Sequence, residues 1–81
     1  MADDLWGQLS AFAGRLRVEG VLGWADELDD VTRYASTGSE ALMGARWVLT
    51  RLVSAEAETT ASSREAARGL IADLTDALGG S

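Results

Sequence analysis

The side chains best placed to do chemistry are four carboxylates packed into five residues, Asp26, Glu27, Asp29 and Asp30, with Glu19 shortly before them. Carboxylates at close spacing can bind a metal, transfer protons or attract a cationic surface. The first two uses need company that the chain does not supply. A calcium loop needs spaced oxygens around a Gly turn and a terminal Glu, and a di-iron bundle needs Glu-x-x-His pairs. Neither pattern is present. The sequence has no His and no Cys, so it can build no Ser-His-Asp or Cys-His nucleophile, no zinc finger, no disulfide and no His- or Cys-held haem. The expectation is no catalytic residue, no cofactor and no metal.

Attraction to a cation remains. The chain carries 7 basic and 13 acidic residues for a net charge of −6, and every base is Arg. That balance disfavours nucleic acid and anionic membrane and favours a basic protein. Asp26 and Asp30 lie four apart, so on a helix they stack and repel by a few tenths of a kcal/mol. Between Glu19 and Thr32 there is no base to neutralise them. The segment is either a docking surface or a solvated face that keeps the protein soluble.

The elements that position these acids follow from periodicity. Leu5, Leu9, Phe12 and Leu16 repeat at steps of four and three, as do Val21, Trp24, Leu28, Val31 and Ala35. Leu42, Ala45, Leu49 and Leu52 form a third stripe, and Ala67, Ile71, Leu74 and Leu78 a fourth. No segment alternates long enough to make a strand. The prediction is a single all-α domain, a small four-helix bundle with helices over about 4–18, 21–35, 38–54 and 63–78. Asp3 or Asp4 caps the first helix and Gly20 closes it. Thr37 and Glu40 form a capping box, Ser62 and Glu65 a second, and Gly79-Gly80 ends the chain's last helix. Ala55 to Ala61 is a polar surface loop.

The third helix is apolar on more than one face. Either it runs through the middle, or its second face, Met43 and Trp47, meets another chain. At 81 residues, with a core supplying a net ~3–5 kcal/mol, a homodimer through that face is open. Trp24 lies on a main stripe and reads as core. Trp6 and Trp47 lie off the stripes and can be core or interface. The partner-binding candidates are therefore Asp26, Glu27, Asp29, Asp30, Met43 and Trp47.

The Ser36-Thr37-Gly38-Ser39 loop is better explained by capping than by phosphate binding, since it lacks Gly-x-x-x-x-Gly-Lys. In size, charge and the place of this Ser the chain resembles acyl and peptidyl carrier proteins, but it has no Asp-Ser-Leu motif. Helices two and three also suit a helix-turn-helix with Arg46 and Arg51 as bases, against the acidic balance.

The segment Gly23-Trp24-Ala25-Asp26-Glu27-Leu28-Asp29-Asp30, followed by Ser36 to Met43, resembles small acidic helical immunity proteins that neutralise bacterial toxins. The resemblance is to a class and covers about the middle half of the chain. It implies a non-enzymatic inhibitor that covers a basic partner, such as a toxin or nuclease domain, with an acidic helical surface. The alternative is a structural homo-oligomeric adaptor. No apolar run approaches the ~18–20 residues of a membrane span, and the acidic Met1-Ala2-Asp3-Asp4 start is the reverse of a signal peptide's. The expected location is the cytoplasm of a bacterial cell.

Overall fold

The computed structural model describes residues 5–79, and these form four α-helices: α1 (Leu5–Val18), α2 (Leu22–Arg33), α3 (Gly38–Ser54) and α4 (Ala61–Ala77). No strand occurs among the described residues. The all-α expectation therefore holds for this part of the chain. Its Cα radius of gyration is 11.7 Å, close to the ~11.7 Å that a compact chain of this length should have.

The ends of the helices follow local chemistry. Gly20 has φ +85°, a left-handed conformation that costs Gly nothing and any other residue strain. Its N–H donates to the Arg17 carbonyl at 3.1 Å, and the Val21 N–H donates to the Leu16 carbonyl at 3.0 Å. That pair of bonds is a Schellman closure, which satisfies two orphan carbonyls of α1 and turns the chain sharply into α2. At the start of α3, Thr37 accepts from the Glu40 N–H at 3.1 Å, while the Glu40 carboxylate accepts from the Ser36 N–H at 2.9 Å. The box forms with its return bond one residue earlier than the usual pattern.

At α4 the expected Ser62 box is replaced. Thr60 caps the helix by accepting from the Ser63 N–H at 3.1 Å, so α4 begins at Ala61 and the loop before it is shorter than predicted. Ser63 is free to turn inward as a result. Gly79, at φ +74°, closes the helix. The cap expected from Asp3 or Asp4, and the part given to Gly80, lie outside the described residues.

The α1 stripe is buried as expected, with Ala13 added to Leu5, Leu9, Phe12 and Leu16. In α3 the buried set is Ala41, Ala45, Val48, Leu49 and Leu52, with Leu42 half-buried. α4 buries Ser63, Ala67, Leu70 and Leu74, so the stripe turns on Leu70, leaving Ile71 and Leu78 half-buried. On α2 just Ala25 and Leu28 are fully covered, and Val21, Trp24 and Val31 pack against the core from its edge. α3 is the central helix, packed extensively on both α2 and α4, while α1 meets α4 along the slimmest of the main contacts.

Polar side chains reinforce that slim contact. Ser63 is fully buried and donates to Glu19 Oε1 at 2.7 Å. Glu19 also receives Arg15 Nε at 3.4 Å and the Thr60 hydroxyl at 3.5 Å, while the Arg15 guanidinium donates to the Ser62 hydroxyl. The Ser63 hydrogen bond, with help from Arg15, holds the Glu19 carboxyl below its ordinary range. The end of α1 is thus tied to the start of α4.

Candidate functional site

Successive residues on a helix point about 100° apart, so four acids within five residues cannot all face one way. α2 divides them. Asp26 and Asp29 turn toward α1, where Arg17 Nη2 donates to both, at 3.2 Å to Asp26 Oδ1 and more closely to Asp29. Glu27 turns the other way and pairs with Arg51 of α3. The hydrogen bond to Asp29, more than that to Asp26, raises the Arg17 pKa above its already high ordinary value. Asp30 has neither an ion pair nor a side-chain hydrogen bond among the described residues.

This corrects the picture of an uncompensated acidic run. No base lies between Glu19 and Thr32 in sequence, but Arg17 and Arg51 reach these acids through space. Three of the four carboxylates share two guanidinium groups. The pairs are solvent-exposed, with side-chain exposures of 41% for Arg17 and 44% for Arg51, so each contributes at most about 1 kcal/mol.

Met43 and Trp47 both stand at the surface, 47% and 57% exposed, one helical turn apart on α3. Trp47 is not a core residue, and neither is Trp6, at 48%. Trp24, expected in the core, is half-buried and packs on it from the edge. The Arg51 guanidinium links two of the three indoles, with its central carbon 4.6 Å from the Trp47 ring centroid and 5.2 Å from that of Trp24. Both distances are within cation–π range. The Trp24 indole N–H donates to Glu58 Oε1 at 2.9 Å, so the loop between α3 and α4 joins this cluster.

Tyr34, just past α2, is 74% exposed and has the Arg33 guanidinium 5.9 Å from its ring centroid. It borders a shallow hollow of about 370 Å³ with Asp30, Val31, Glu40 and Gly44. The hollow exists because Gly44 brings α3 close under Val31, and a Cβ at Gly44 would lie 3.0 Å from the Val31 Cβ. The hollow thus joins Tyr34 and Asp30 to Glu40 and Gly44 of α3, and Arg51 joins Trp47 to Glu27.

Sequence reasoning picked out Asp30, Met43 and Trp47 but missed Arg17, Arg51, Glu58 and Tyr34. Arg51 was within reach of it, since it stands four residues after Trp47, the spacing at which helical side chains stack. The bases offered to a helix-turn-helix have internal partners: Arg51 is held by Glu27, and Arg46 donates to Thr75 Oγ1 at 3.4 Å. The Ser36 to Ser39 loop supplies a cap.

Among the described residues, no cluster of His, Cys, Asp or Glu could hold a metal ion. No helix there is long and apolar enough to cross a membrane. Comparison of the chain with protein-family models, with curated proteins and with solved structures finds no match.

Proposed function

We propose that this chain is a non-enzymatic protein-binding module of the inhibitor or immunity type, which covers a basic protein with the face shared by α2 and α3. One observation carries the reading. Trp47 and Met43 are exposed on α3, Arg51 joins Trp47 to the Glu27 carboxylate of α2, and Asp30 on α2 has no side-chain partner among the described residues. A large aromatic in a rim of acids is how an interface that selects cationic partners is built: the ring supplies contact area, and the acids supply steering and register. The net charge of −6 extends the same attraction over a longer range.

Affinity capture tests this if it is run with two baits, the parent and Trp47→Glu. The expected result is a strongly basic protein retained by the parent, released by salt and not retained by the variant. If both baits retain the same proteins, or the parent retains nothing basic, the reading fails.

The second reading is a homodimer through α3, and the turn-spaced Met43 and Trp47 favour it. Two chains at −6 would repel, so such a dimer should tighten with added salt, whereas a complex with a basic partner should loosen. Sedimentation of the purified chain at low and high salt separates the two.

A further inference from the structure

The turn between α1 and α2, the first turns of α2, the end of α3 and the loop before α4 border an open cleft of about 530 Å³. It adjoins the Trp47 surface through Arg51. Its charged lining is Glu27, Glu58 and Arg51, a sum of −1. Arg51 is spent on Glu27. Glu58 has for partner the neutral indole N–H of Trp24, so its charge is not compensated within the cleft. Glu27 and Glu58 each commit one carboxylate oxygen to these bonds. Among the described residues the second oxygen of each has no hydrogen-bond partner.

The remaining wall suits an aliphatic stem. Val21 and Leu22 are apolar, and Gly20 and Gly23 have no side chain, with open space above both. One aromatic ring, Trp24, also lines the cleft, with the resident Arg51 guanidinium 5.2 Å from its centroid. A monocation at the end of an apolar stem is complementary in charge, shape and surface. Anions meet two carboxylates there, and a neutral apolar group gains nothing from either charge.

We infer that this cleft is a binding site for a single arginine side chain presented by the basic partner, its guanidinium lying between Glu27 and Glu58 and its stem against Val21 and Leu22. The inference rests on the basic-partner reading and names the group that reading would recognise.

The test does not need the partner. The parent chain is titrated with N-acetyl-arginine amide while the Trp24 indole N–H resonance is followed by NMR. N-acetyl-citrulline amide, the same shape without the charge, serves as control. A saturable shift with the arginine probe, absent with citrulline and weakened about threefold in Glu58→Gln, is the expected result. Gln keeps an acceptor for the Trp24 N–H, so that variant removes the charge and spares the fold. Asp73→Asn, across the molecule on α4, should leave the titration unchanged. No saturable shift, an equal response to citrulline, or equal binding by Glu58→Gln overturns the inference. The outcomes also separate the two proposals. A basic partner that binds parent and Glu58→Gln alike removes the cleft and leaves the wider function standing. Probe binding without a basic partner removes the function and leaves the cleft.

Discussion

Glu19, just beyond α1, accepts the hydroxyl proton of Ser63 at 2.7 Å, and Ser63 is the only polar side chain buried among the described residues. The bond reinforces the slimmest of the main helix contacts. Removing the hydroxyl with Ser63→Ala should cost about 1 kcal/mol, the usual net value of one hydrogen bond. A thermal melt should fall by roughly 4–8 °C per kcal/mol in a domain of this size. An unchanged melt would mean that solvent replaces the bond at no cost.

The same contact has a pH signature. The Glu19 carboxyl titrates below its ordinary value of 4.5 in the folded chain, so folding favours its charged form. That contribution is fully present above about pH 4.5 and is lost as pH falls through the lower, folded value. Glu19→Gln should therefore be less stable than the parent at pH 7, and the gap should narrow towards pH 3. A gap that is constant across this range would show that Glu19 titrates alike in both states.

Gly44 and the other helical glycines make opposite predictions. Gly14 has open space around it, so Gly14→Ala should stabilise α1 by up to about 1 kcal/mol through helix propensity. Gly44→Ala gains the same propensity but places a methyl 3.0 Å from the Val31 Cβ. It should destabilise, since α2 must shift outward to admit it. Denaturant midpoints of the two variants, measured side by side, check the sign of each.

The core assignments are tested at Leu28 and Leu49, both essentially without exposed surface. Changing either to Ala should cost ~2–5 kcal/mol, most of what so small a domain has. Variants that melt with the parent would contradict the packing of α2 and α3.

Four helices and the caps at Gly20, Thr37 and Gly79 were legible because they depend on neighbours in sequence. Thr37 with Glu40, Gly20 after Arg17, and the Leu5 to Leu16 stripe all express spacings of three and four. The ties between helices were not legible. Arg17 with Asp29, Arg51 between Trp24 and Trp47, and Glu19 with Ser63 depend on how far each helix is rotated about its axis and how closely it approaches the next. That rotation is why Leu70 is buried and Ile71 half-buried, although either fits a helical period. Ser63 did leave a trace, four residues before Ala67 and at the head of that stripe. The acids of α2 were misjudged for the same reason: a charge count along the sequence cannot register bases arriving from α1 and α3.

The regrouped acids also change what their removal should do. Asp30→Asn removes repulsion with Asp26 and no ion pair, so it should melt at or slightly above the parent. Adding Asp26→Asn and Asp29→Asn strips Arg17 of both partners, and the triple variant should fall below Asp30→Asn by no more than about 2 kcal/mol, about 1 for each exposed pair. A larger loss would mean that the Arg17 pairs hold α1 against α2 more firmly than exposed ion pairs do.

The claim that the α2–α3 face meets a basic partner is tested most directly by amide chemical-shift mapping. The labelled chain is titrated with the basic protein that the parent bait captures. The expected result is perturbed amides concentrated over residues 24–34 and 40–51, with the α1–α4 side, including Ala11 and Gly69, unmoved. Perturbations centred on Ala11 and Gly69, with Trp47 and its neighbours unchanged, would contradict it.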